Sequence, residues 1–71
     1  MNNISYHINP LKERAVHEIL EKGGFRFFDS PYAFWRAAGD NVTLTFFTKG
    51  TLLIQGNNPE IVKRLMEKGF I

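Results

Sequence analysis

The chain contains no cysteine, which excludes a disulfide scaffold and a thiolate zinc site and gives no sign of an oxidising compartment. No apolar run approaches the roughly 18 residues of a membrane span. The opening Met1-Asn-Asn-Ile-Ser-Tyr-His7 also lacks a basic stretch followed by an apolar one. The expectation is a soluble, unexported, cytoplasmic chain with no membrane partner. An excess of one charge is equally lacking, since nine Lys plus Arg stand against seven Asp plus Glu, for a net charge of +2. That balance is compatible with a polyanionic partner but far from a basic tail. Histidine occurs twice, at His7 and His17, with no carboxylate at a ligand spacing, so no metal site is read. No nucleophile stands beside a plausible base, and neither Gly23-Gly24 nor Gly56 fits a phosphate-binding loop. No catalytic residue and no cofactor is assigned to this chain.

What is present is enough apolar material to fold. Hydrophobic residues make up 44% of the 71, with seven Phe, two Tyr and one Trp, which argues against disorder. A chain this short buries only about 60% of its unfolded surface. It therefore makes one domain, residues 1–71, and has no room for a deep self-contained active site.

Asn9-Pro10 followed by Leu11, Ala15, Ile19 and Leu20 supplies a capping residue, a proline at the first helical position and helical apolar spacing. This predicts a helix over about 10–22, ended by Gly23-Gly24. Asn58-Pro59 followed by Ile61, Val62, Leu65 and Met66 predicts a second helix over about 59–68, ended by Gly69. Both share an Asn-Pro start and a Glu-Lys-Gly end, which is repeated capping chemistry and not an internal repeat. Glu13, Glu18 and Glu21 among Lys12, Arg14 and Lys22 read as a solvated face of the first helix.

Ile4, Tyr6 and Ile8 alternate with Ser5 and His7, as in a short strand with one buried face. Between the helices, Val42–Phe47 and Thr51–Gln55 read as a hairpin. A one-residue slip would send every side chain to the wrong face. A three-residue loop, Thr48-Lys49-Gly50 with Gly50 left-handed, pairs Phe46 with Leu52 and Leu44 with Ile54 and keeps the two apolar rows together. Ala33–Ala38 turns through Gly39-Asp40-Asn41 into this hairpin. Keeping Arg36 out of the core puts Ala33, Trp35 and Ala37 inside and Phe34 and Arg36 beside Thr43 and Thr45. Phe25–Pro31 reads either as a bent strand or as a connector whose phenylalanines plug the sheet edge.

The resulting class is α+β, ordered strand, helix, three antiparallel strands, helix. Both helices cover one face of one sheet, because neither can bury its apolar stripe otherwise. The other face stays open and carries Phe34, Arg36, Thr43, Thr45, Phe47, Thr51, Leu53 and Gln55, with Lys49 on the adjoining turn. Small domains rarely leave large apolar side chains in one exposed patch without a use. Threonines, Arg36 and Gln55 suit contact with sugar edges and phosphates. The same face also suits another protein surface, and pattern alone leaves the two open.

The stretch Thr43-Leu-Thr-Phe-Phe-Thr-Lys-Gly-Thr-Leu-Leu-Ile-Gln-Gly56 is preceded by Tyr32-Ala-Phe-Trp-Arg-Ala37 and followed by Asn57-Asn58 and a helix. It resembles the small N-terminal domain of bacterial ribonuclease HIII, whose fold is like one half of the TATA-box-binding protein. The matching positions are Thr43, Thr45, Phe47, Gly50, Ile54, Gln55 and Gly56. The family's usual turn is Ser-Gly-Lys, whereas here Lys49 precedes the glycine. The resemblance implies the N-terminal fragment of a longer nuclease and a substrate-binding role toward RNA/DNA hybrid duplexes. It implies further a C-terminal ribonuclease H domain in the same chain, where acidic residues hold the divalent metal. The residues expected to meet the duplex are the nine just named on the open face and turn. The second expectation is a protein-interaction module that forms a homodimer through the open sheet.

Overall fold

The structure is a computed structural model that describes residues 3–57 and 59–71. Five strands form one antiparallel sheet: β1 (Asn3–His7), β2 (Arg26–Phe28), β3 (Ala33–Gly39), β4 (Val42–Phe47) and β5 (Thr51–Gly56). The sheet order is β1-β5-β4-β3-β2, so β4 is central and β1 and β2 are the edges. Two helices complete the fold, α1 (Glu13–Lys22) and α2 (Pro59–Glu67). The sequence reading is thus one strand short. The Phe25–Pro31 segment contains β2, which pairs with β3 through Arg26 opposite Ala38, Phe27 opposite Ala37 and Phe28 opposite Arg36.

Local chemistry sets the element ends. The Asn9 side chain accepts a hydrogen bond from the Leu11 amide at 3.0 Å, and Pro10 opens a single 3₁₀ turn, Pro10–Lys12, before α1 proper. Such a cap contributes about 1 kcal/mol. The matching cap expected at Asn58 lies outside the described residues. Both helices end in the same left-handed motif. The Phe25 amide donates to the Leu20 carbonyl and Gly24 to Glu21, as Phe70 does to Leu65 and Gly69 to Met66. The left-handed residues are Gly24 (φ 84°) and Gly69 (φ 81°). The repeat therefore aligns on Gly-Phe and not on the Glu-Lys-Gly of the sequence reading, because the motif needs its glycine one position before the apolar residue that packs back.

The hairpins follow their turn residues. Asp40 (φ 48°) and Asn41 (φ 63°) form the two-residue turn between β3 and β4, with Gly39 opposite Val42. Thr48-Lys49-Gly50 joins β4 to β5 with Gly50 at φ 107°, and the expected pairs Phe46–Leu52 and Leu44–Ile54 are present. Gly50 also meets β1, since the Ile8 amide donates to its carbonyl at 2.8 Å and a Cβ there would lie 2.7 Å from His7 Cε1.

The core lies between the sheet and the helices. Val16 and Leu20 of α1 and Ile61 and Leu65 of α2 pack with Trp35, Ala37, Val42, Leu44, Phe46, Leu52 and Ile54. The inward stripe of α1 differs from expectation, for Leu11 is 91% exposed and Val16 is fully buried. The 3₁₀ turn takes Leu11 off the helical phase, so the i, i+4 count starting there runs through exposed Ala15 and reaches only the margin of the core at Ile19. Glu13 is not part of a solvated face either, because the Trp35 Nε1–H donates to its carboxylate at 2.8 Å. Trp35 thereby has its polar atom satisfied beneath the helix while its ring meets Phe27 and Phe46. Glu18 keeps the expected exposed role and pairs with Lys22 at 3.8 Å.

Candidate nucleic-acid interface

Cross-strand partners share a face, so the register places the side chains on the uncovered side of the sheet. Arg36 is opposite Thr45, Thr43 opposite Gln55, Thr45 opposite Leu53, and Phe47 opposite Ala33. At the edges, β2 contributes Arg26 and Phe28, and β1 contributes Asn3, Ser5 and His7, the last opposite Thr51. Eight of the nine expected site residues therefore lie on this face or its turn: Arg36, Thr43, Thr45, Phe47, Lys49, Thr51, Leu53 and Gln55.

Phe34 does not. The ladder between β3 and β4 is irregular between Ala33 and Trp35, with Ala33 opposite Phe47 and Trp35 opposite Phe46. An extra residue thus stands in β3 where β4 has none, which is a β-bulge. Phe34 is that residue, and its ring lies 5.3 Å from the ring of Phe46, a core side chain. Ala33, expected inside, is opposite Phe47 on the open face. The two exchange sides because strict alternation fails across a bulge.

Thr45 keeps its place but not its accessibility, being only 2% exposed. It is a short side chain in the central strand between Arg36 and Leu53, and its longer neighbours close over it. It supports the surface without presenting itself to a partner. Thr43, Phe47, Thr51, Leu53 and Gln55 are half-buried, and Arg36 and Lys49 are exposed. Arg36, Thr43 and Gln55 come together around a shallow depression completed by Asn41, Val42 and Gly56, near the Asp40-Asn41 turn. Gly56 (φ 124°) sits so close to β4 that a Cβ would lie 2.5 Å from the Asn41 carbonyl oxygen.

Sequence reasoning missed Arg26 and Phe28, both exposed on the β2 edge. No sequence signal marked them, since Arg26, Phe27 and Phe28 alternate in side but not in polarity. Phe27 between them turns inward and stacks on His17, ring centroids 3.8 Å apart at an interplanar angle of 16°. With β2 included, the open face carries two guanidinium groups, Arg26 and Arg36. None of the five strands contains Asp or Glu, whereas Glu13, Glu18, Glu21, Glu60 and Glu67 all lie on the helices. The small net charge thus conceals a segregation, with cations alone on the strands, Asp29 and Asp40 on the turns at the two ends of the sheet, and both signs on the helices. Among the described residues, no three His, Cys, Asp or Glu side chains are grouped to hold a metal ion. No described helix is long and apolar enough to cross a membrane.

No family model matches the chain. It is 35% identical over 68 residues to ribonuclease HIII of Aquifex aeolicus (strain VF5), an alignment that covers 90% of this chain and 26% of that protein. The crystal structure of Aquifex aeolicus RNase H3 superposes with a TM-score of 0.79 at 31% identity, again over 90% of this chain and 26% of the other. The chain spans about a quarter of the length of the relative it matches. The α+β arrangement expected from the sequence, one antiparallel sheet with both helices on one face, is the one found, with one additional edge strand. Fold, order of elements and sequence agree: the chain is a homologue of the N-terminal region of ribonuclease HIII.

Proposed function

We propose that this domain is an accessory module of a ribonuclease HIII that holds RNA/DNA hybrid duplex against its uncovered sheet face. The observation that carries the reading is the charge segregation. A five-stranded face with Arg26, Arg36, Phe28, Phe47 and Leu53 and no carboxylate on any strand suits a surface that presents both phosphates and apolar sugar edges. Contacts of this kind read groove shape more than base sequence, as a nuclease acting on any hybrid requires. In this reading the RNA strand is cut by a C-terminal ribonuclease H domain of the same chain, with the divalent metal held there by acidic residues. Tethering raises the local concentration of duplex, so a weak module is sufficient.

The test is a titration of hybrid duplex into the 71-residue chain at several salt concentrations, with light scattering to give its mass. Two to four phosphate contacts give a log–log salt slope of about −2 to −4. A monomer with that slope supports the reading. A dimer that ignores hybrid overturns it and leaves the open sheet as a self-association surface.

A further inference from the structure

The hairpin joining β2 to β3 has a feature that the fold does not need. The Ala33 amide donates to the Ser30 carbonyl at 3.2 Å, closing a four-residue turn with Pro31 second and Tyr32 third. Tyr32 has φ 61°. A proline second and a left-handed residue third is the type II arrangement, whose third position favours glycine or asparagine. A tyrosine there is strained, since its Cβ crowds the neighbouring backbone. It is also 88% exposed, so its ring adds almost nothing to packing. Asp40 and Asn41 are the other non-glycine residues with positive φ among those described. Both are types that tolerate that conformation, and Tyr32 is not.

The position is held firmly. The Tyr32 carbonyl accepts hydrogen bonds from the Thr48 amide at 3.0 Å and from the Thr48 hydroxyl at 3.2 Å. This ties the hairpin tip to the turn carrying Lys49, which in turn is tied to β1 through Gly50 and Ile8. Tyr32, Lys49 and His7 thus stand at one end of the sheet, the end opposite the depression around Arg36. Strain that the surroundings enforce, on a side chain offered to solvent, is characteristic of a contact residue.

We propose that Tyr32 is a nucleic-acid contact at this end of the open face, its ring lying against a sugar or base of the duplex while Lys49 meets a neighbouring phosphate. The inference rests on the hybrid-binding reading above. Asp29 lies in the same hairpin tip and disfavours a phosphate there, so the contact made by Tyr32 is apolar and not ionic.

The experiment compares the unsubstituted chain with Tyr32→Gly and Tyr32→Phe by thermal melting and by hybrid titration across salt concentrations. Glycine removes the backbone strain, so Tyr32→Gly is expected to melt at the same temperature or higher. It should nevertheless bind hybrid about fivefold more weakly, the lower end of what one aromatic contact to a nucleotide contributes. The salt slope should stay unchanged, because no phosphate contact is lost. Tyr32→Phe should bind like the unsubstituted chain. Equal affinity for Tyr32→Gly overturns the assignment while leaving hybrid binding intact, and a lower melting temperature overturns it by showing the ring to be structural. If Tyr32→Gly abolishes self-association and not hybrid binding, the partner is a second copy and the proposal fails. If the unsubstituted chain binds no hybrid, the broader reading and this one fall together.

Discussion

Phe46 and Phe47 are neighbours in β4 with the same side chain and opposite circumstances. Phe46 is fully buried among Trp35, Leu52 and the helices, whereas Phe47 faces away from them beside Ala33 and is only half-buried. The contrast extends to the whole sheet. One face is apolar and sealed by α1 and α2, and the other is threonine-rich, carries Arg26 and Arg36 and has no helix over it. A strand with period two can serve packing on one side and recognition on the other without either constraining the other's residue types.

Truncating each phenylalanine separates the two faces by the largest effect. Phe46→Ala should destabilise by about 3–5 kcal/mol through lost burial and a residual cavity. Phe47→Ala should cost far less and should instead weaken hybrid binding. Denaturant unfolding of the two variants checks the order, and a reversal would mean that the faces are assigned the wrong way round. Glycine comes next in expected size. Gly50→Val introduces a β-branched side chain at φ 107° against the Ile8 carbonyl, only 2.9 Å from an ideal Cβ. A loss of at least about 1–3 kcal/mol is expected from backbone strain of this kind. Melting curves that overlay those of the unsubstituted chain would rule out the tight β1 contact.

The remaining variants sharpen the open face and should barely move stability. Arg36→Ala and Arg26→Ala remove exposed guanidinium groups, so each should lie within about 0.5 kcal/mol in unfolding. Each should reduce the salt slope of hybrid binding by about one. Unchanged slopes for both would detach the arginines from the phosphates. Lys49→Ala should be the mildest, with unaltered melting and a salt slope lower by about one if the lysine reaches a phosphate from its position before Gly50. Equal affinity and slope would assign that end of the face to Tyr32 alone.

The nine residues expected from the sequence to meet the duplex were legible to different degrees. Thr43, Phe47, Thr51, Leu53 and Gln55 follow from alternation in β4 and β5, and the hairpin register follows from one glycine in a three-residue loop. Arg36 follows from the cost of burying a guanidinium. Phe34 was misplaced because its side depends on how many residues the facing strand supplies, which no pattern within β3 reveals. Thr45 was placed correctly and its burial missed, since the side chains that close over it come from two other strands. Arg26 and Phe28 were missed because a three-residue strand is too short for alternation to separate it from a loop.

By itself the sequence determined what is decided within a few residues: the Asn9 cap, the two Gly-Phe helix ends, the Asp40-Asn41 and Gly50 turns, and which rows of β4 and β5 are apolar. Those features depend on backbone dihedrals and on hydrogen bonds between near neighbours, where residue type is sufficient. Only the tertiary structure decided the bulge that carries Phe34, still 39% exposed, to the Phe46 side of the sheet, the phase of α1 that buries Val16 and exposes Leu11, the docking of β2 on β3, and the joining of the Tyr32 and Lys49 turns through Thr48. Each of these depends on which distant segment lies alongside. That is set by the packing of the whole core and not by any local preference.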